Sequence, residues 1–184
     1  MSKAVLFFAD GTEECEALLV ADLLRRAKVE VIIASAMGRR ALVSSHGIHL
    51  NADALAEDVD YSDVDMVVLP GGIPGTPNLA ENKTVTDTCV SFAKAGKKVA
   101  AICAAPTILA NLGFLDRRRA VCYPGMEELM GSAVVQKGAP VVADGHIITG
   151  EAAGSSFPFG LKLVEVLKGA EAARQVCHAV HYHG

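Results

Sequence analysis

Lys97-Lys-Val-Ala-Ala-Ile-Cys-Ala-Ala-Pro106 is the stretch that most narrows what this chain can fold into. Two lysines lead into four apolar residues, Val99 to Ile102, bounded by Gly96 before and Pro106 after. A run this short, apolar and punctuated predicts a strand buried on both faces, as in a parallel sheet. Cys103 falls at its end. Ala104, Ala105 and Pro106 then open a helical pattern, Thr107 to Leu112, closed by Gly113. Proline suits a first helical turn because its missing N–H would have no partner there. The small residues around Cys103 permit a tight strand-to-helix turn, the geometry of a nucleophile elbow with cysteine in the serine position. A cysteine at a helix N-terminus is expected to gain thiolate character from the partial positive charge there. The alternative is a buried structural cysteine, a common fate of free thiols.

The flanking sequence repeats the alternation. Strand patterns cover Ala4–Ala9, Val29–Ser35 and Asp65–Leu69, with helical patterns from Asp10 to about Ala27 and from Asn78 to Ala95. Ala41 to Leu50 reads as a hairpin turning at Ser45-His46-Gly47. Further on come strands at Ala120–Cys122, Ala133–Val135, Pro140–Ala143 and His146–Thr149, and a short helix near Glu127–Met130. Helices follow from Phe157 to Leu167, after Gly154-Ser-Ser156, and from Ala170. This βαβ spacing predicts an α/β domain over residues 1–184 with a mostly parallel central sheet.

Charge and cysteine usage exclude several function classes. The net charge of 17 − 21 = −4 offers no strong field for nucleic acid, and Arg117-Arg-Arg119 reads as a solvated turn. Val99 to Leu115 is interrupted by Pro106, Thr107, Asn111 and Gly113, so no membrane span is expected. The N-terminus carries no signal-peptide pattern, which points to the cytoplasm. Five cysteines, with no C-x-x-C pair, argue for free thiols.

The first helix brings a carboxylate into play. Asp10-Gly-Thr-Glu13 has capping-box spacing. Glu16, Val20, Leu23 or Leu24, and Ala27 share one line that is apolar except for Glu16, so Glu16 is expected to face inward. Glu13 lies on a neighbouring line and stays a candidate, while Glu14 is expected to be more exposed. The alternative for Glu16 is a simple acidic first-turn residue. Cys15, Leu18, Leu19 and Asp22 form an outer line that suggests a subunit surface. Ligands of parallel α/β sheets sit at the carboxyl ends of the strands. The Glu16 loop, Gly71-Gly72 and Cys103 all belong to that end, and glycines there let backbone N–H groups face an oxyanion.

Gly11-Thr-Glu-Glu-Cys-Glu-Ala17, Val67-Val-Leu-Pro-Gly-Gly72, Val99-Ala-Ala-Ile-Cys-Ala-Ala-Pro106 and Gly154–Gly169 resemble the ThiJ/PfpI superfamily, and within it the DJ-one branch of parkinsonism-associated protein deglycases. The likeness runs in order through nearly the whole chain. It implies a flavodoxin-like three-layer sandwich and a homodimer. It implies Cys103 as nucleophile, Glu16 as its carboxyl neighbour, and an oxyanion held by the N–H groups of Gly72 and Ala104, with Gly71 beside them. It implies no cofactor and no metal. The implied activities are a glutathione-independent glyoxalase or deglycase acting on methylglyoxal, glyoxal or their adducts in oxidative stress. A non-catalytic redox sensor or redox-regulated chaperone using the same cysteine is the alternative. Ala104 stands where the protease-like branch has histidine, which counts against a Cys-His hydrolase. Tyr123 stands where many relatives carry histidine, and reads either as a pocket donor or as a strand-end aromatic. His46 and Glu151 occupy positions where some relatives carry arginine. The C-terminal Cys177, His178, His181 and His183 read either as metal ligands or, more simply, as a polar tail.

Overall fold

The computed structural model describes residues 2–183. A seven-stranded sheet runs in the order β10-β11-β7-β6-β1-β2-β5. Its strands are β1 (Lys3–Phe8), β2 (Glu30–Ser35), β5 (Ala54–Leu55), β6 (Met66–Leu69), β7 (Lys98–Ile102), β10 (Val141–Asp144) and β11 (Ile147–Gly150). All neighbours are parallel except β10, which folds back antiparallel on β11. Two short ladders stand outside it: the antiparallel hairpin β3 (Ala41–Val43) with β4 (His49–Asn51), and parallel β8 (Arg119–Ala120) with β9 (Val134–Val135).

The period-two alternation of each strand divides the core between the two faces of the sheet. Leu6, Phe8, Met66, Val68, Ala100 and Ile102 pack with α1 (Val20–Arg26), α5 (Ser156–Lys168) and α6 (Ala170–Ala179). Val5, Phe7, Val67, Leu69, Val99 and Ala101 pack with α2 (Gly75–Glu81), α3 (Lys83–Lys94) and α4 (Pro106–Asn111). Helices on both faces of a mostly parallel sheet make the expected flavodoxin-like sandwich.

Three expectations need correction. Asp10 caps no helix. It accepts a hydrogen bond from the Val43 N–H at 3.0 Å and pairs with Arg39, which ties the loop after β1 to the hairpin. The first helix instead opens at Cys15–Leu19 as a π-helical turn, and Glu13 takes the capping role by accepting from the Glu16 N–H at 2.7 Å. Glu14 is buried, because the hairpin tip folds over it. The region from 78 to 95 begins earlier, at Gly75, and breaks at Asn82, whose backbone is extended. The Asn82 side chain accepts from the Val85 N–H at 3.0 Å and donates to the Ala36 carbonyl at 2.8 Å. The other predicted elements lie within about two residues of their expected limits, while β5 and the short helical turn at Ala56–Asp58 are not anticipated.

Candidate active site

Cys103 directly follows β7 with φ = +65°, in the left-handed region that a side chain enters at a cost of about 1–2 kcal/mol. Two backbone bonds hold it there. Its N–H donates to the Gly150 carbonyl at 3.0 Å, and its carbonyl accepts from the Tyr123 N–H at 2.7 Å. The N–H groups of Ala104 and Gly72 act on the thiol in the direction that favours the thiolate. The residue is 9% exposed. This is the elbow the sequence predicts, and non-glycine strain at such a turn is a mark of function.

Glu16 is fully buried, on the inward line expected of it. The π-turn sets it against the loop after β6, where its Oε2 accepts from the Gly71 N–H at 2.8 Å. Oε1 is buried and has no partner among the described residues. Gly71 lies between the two reactive groups. A Cβ there would stand 2.7 Å from the Cys103 Cβ and 2.8 Å from Glu16 Oε2, so only glycine fits. Gly72 has φ = +93°, and a Cβ on it would stand 2.4 Å from the Glu13 nitrogen. The Glu13 N–H donates to the Gly71 carbonyl at 3.0 Å, which locks the two loops together.

The electrostatics of the pair correct the expectation of a ready thiolate. Burial raises Glu16 to about 7, against the lowering effect of the neighbouring Cys103 thiol and of the hydrogen bond from Gly71. Burial and the neighbouring Glu16 carboxyl push the Cys103 thiol up to about 12, and the N–H groups of Ala104 and Gly72 only partly offset this. Two acidic groups buried this closely resist carrying two negative charges, so both move up and are expected to titrate as a pair. α4 has only six residues, too short to outweigh that penalty by its dipole.

The other candidates lie apart from this pair. Tyr123 reaches Cys103 through its backbone, and its side chain is half exposed. Glu151 lines a separate pocket of about 150 Å³ with Cys122, Glu127 and Lys137. His46 sits on Glu14, Nδ1 to Oε1 at 2.8 Å. A wider cavity of about 680 Å³ lies between α5 and α6, away from Cys103. His178 and His181 are on the C-terminal helix and turn with ring centroids 6.2 Å apart. The sequence reading misses the parts Gly150 and Tyr123 play in fixing the cysteine. Both act through backbone atoms, which leave no side-chain signature.

Comparison with known proteins gives a consistent result. The model of the DJ-1/PfpI family matches residues 2–166. Protein dj-1beta of Drosophila melanogaster is 36% identical over 178 residues, covering 96% of this chain and 95% of that one. The glutathione-independent glyoxalase DJR-1.2 of Caenorhabditis elegans is 29% identical over 170 residues, covering 92% and 90%. Among solved structures, a cysteine-to-alanine mutant of a DJ-1 superfamily protein from Salmonella typhimurium superposes with a TM-score of 0.95 at 34% identity, covering 100% of both chains. With the flavodoxin-like sandwich and the family motifs in order along it, the chain belongs to the DJ-1/PfpI family.

Proposed function

We propose that this protein is a cysteine-dependent, glutathione-independent glyoxalase or deglycase acting on glyoxal, methylglyoxal or their adducts. The observation that carries the proposal is the elbow thiol of Cys103 beside a buried carboxyl, Glu16, raised to about 7. A carboxylate with that pKa is a competent general base at neutral pH. The family includes a relative named as a glyoxalase, which supports the same reaction class.

The chemistry follows from the proton inventory of the pair. Glu16 takes the thiol proton as the sulfur attacks the aldehyde carbon, so no free thiolate has to accumulate. The carbonyl oxygen becomes an oxyanion facing the N–H groups of Gly72 and Ala104 and takes the thiol proton back from Glu16, which gives the hemithioacetal and leaves Glu16 ionised again. For methylglyoxal, Glu16 then removes the proton from the former aldehyde carbon, and a proton returns to the neighbouring carbon. That shift oxidises the aldehyde carbon to a thioester and reduces the ketone to an alcohol. Water cleaves the thioester, releasing lactate and restoring the thiol. The sum is methylglyoxal plus water to lactate, with no external redox partner.

The proposal includes a homodimer through the outer line of Cys15, Leu18 and Leu19, where Cys15 and Leu18 are exposed. It also includes a cytoplasmic setting, since five free cysteines suit a reducing compartment. No helix of the described residues is long and apolar enough to cross a membrane. Purified protein given glyoxal or methylglyoxal without glutathione should form the hydroxy acid, and Cys103→Ser should lose that turnover. Equal turnover by Cys103→Ser would overturn the assignment. Thiol oxidation with no turnover on any α-oxoaldehyde would put the sensor reading in its place.

A further inference from the structure

Two large apolar side chains stand in water beside the reactive cysteine, one on each flank. Ile73 is 63% exposed and Tyr123 is 48% exposed. β7, which leads into Cys103, lies between β6 and β11. Ile73 belongs to the loop after β6 and directly follows Gly72, whose N–H acts on the Cys103 thiol. Tyr123 comes from the β11 side, where the Val121 N–H donates to the Thr149 hydroxyl at 2.9 Å. Its own N–H donates to the Cys103 carbonyl at 2.7 Å. The two residues therefore reach the cysteine from opposite neighbouring strands.

Fixed backbone holds both of them out. The Thr76 N–H donates to the Gly72 carbonyl at 2.8 Å, and a Cβ on Gly75 would stand 2.5 Å from the Thr12 nitrogen, so the loop carrying Ile73 is clamped on both sides. Beyond Tyr123 the apolar surface continues. The Met126 N–H donates to the Tyr123 carbonyl and the Leu129 N–H to the Met126 carbonyl, each at 3.0 Å. Residues three apart in such tight turns share one side, and Leu129 is exposed. Exposed apolar surface gathered at a reactive group marks a binding surface. A partner on the outer line of the first helix leaves it free, because Leu18 is exposed on the far side of the turn from the buried Glu16.

Charge selects the kind of ligand. Glu16 acts on Cys103, and Glu13 acts on Glu16, both with negative charge. Such a pair repels an anionic substrate and leaves a neutral one unaffected. We infer, resting on the reading of Cys103 as an aldehyde-attacking thiol, that Ile73 and Tyr123 wall an apolar mouth. That mouth selects neutral α-oxoaldehydes with an aryl or similarly bulky apolar substituent over methylglyoxal. A flat ring has the Tyr123 ring to stack on and the Ile73 side chain to contact. The chemistry at sulfur is unchanged, so phenylglyoxal plus water gives mandelate.

The test uses the full chain and reads ratios, so that a variant disturbing the thiol itself affects both members alike. The kcat/KM for phenylglyoxal over that for methylglyoxal, without glutathione, should favour the aryl substrate by about 10-fold through KM, the low end of what one methylene gives in a full pocket. Tyr123→Ala and Ile73→Ser should each lower that ratio several-fold, and Tyr123→Phe should keep it. Alkylation of Cys103 needs no turnover. There N-phenyliodoacetamide should outpace iodoacetamide beyond their ratio on free cysteine, read by peptide mass spectrometry, and the same two substitutions should remove the excess. The inference falls if the alkylation ratios of Tyr123→Ala and Ile73→Ser match the wild type, whatever the turnover. No turnover of either aldehyde with the aryl excess intact rejects the glyoxalase reading and keeps the apolar mouth.

Discussion

At the scale of single residues, the proposed chemistry rests on a carboxyl and a thiol that are buried side by side, Glu16 and Cys103. Glu16 rises from 4.5 to about 7, chiefly through burial. The folded state therefore holds a proton that the unfolded chain releases between those values. The stability this contributes is complete below about pH 4.5 and is lost as pH rises through about 7. A shift of this size corresponds to about 3 kcal/mol. Denaturation measured at pH 5 and pH 8 should show that loss in the wild type and a much flatter response in Glu16→Gln. Equal pH slopes in the two proteins would contradict the burial of an ionisable Glu16. Gly71, like Gly72, leaves no room for a side chain, and one on Gly71 would enter the space between the pair.

At the scale of elements, what the sequence makes legible is whatever local periodicity controls. The apolar line through Val20, Leu23, Leu24 and Ala27 places Glu16 inside, and all of these are buried. The strand-end cysteine before a proline-opened helix marks the elbow. What stays hidden depends on distant partners. Glu14 reads as exposed because nothing local shows that Ser45 and His46 will fold over it. Asp10 reads as a helix cap because its capture by Arg39 and Val43 is a tertiary event. The direction of the Cys103 shift is hidden for the same reason, since it follows from burial and from the nearness of Glu16. Asn82 interrupts an otherwise helical pattern because its side chain both caps α3 and reaches Ala36. Asn82→Ala should cost about 1–2 kcal/mol, from a lost cap and a lost hydrogen bond, read from the denaturation midpoint. An unchanged midpoint would mean that the break between α2 and α3 is set by packing alone.

At the scale of the whole molecule, sheet order brings the site together. β1, β6, β7 and β11 end on the same side of a mostly parallel sheet, so the loop with Glu16, Gly71-Gly72, Cys103 and the Gly150 carbonyl meet there. The proposed dimer should scatter light as twice the 19.2 kDa chain, and Leu18→Glu on the outer line should shift it to the monomer. A monomeric wild type would reject that interface. The central claim is that Glu16 is the base for a thiol that burial keeps protonated. Its most direct test is the pH dependence of kcat/KM for methylglyoxal in the wild type and Glu16→Gln, with Cys103 titrated in both. The wild-type rate should climb through about pH 7 and then level. Glu16→Gln should lose ~10²- to 10⁴-fold and show no such rise, although its thiol titrates lower once the neighbouring charge is gone. A Gln variant that keeps the wild-type rate and profile would contradict the claim.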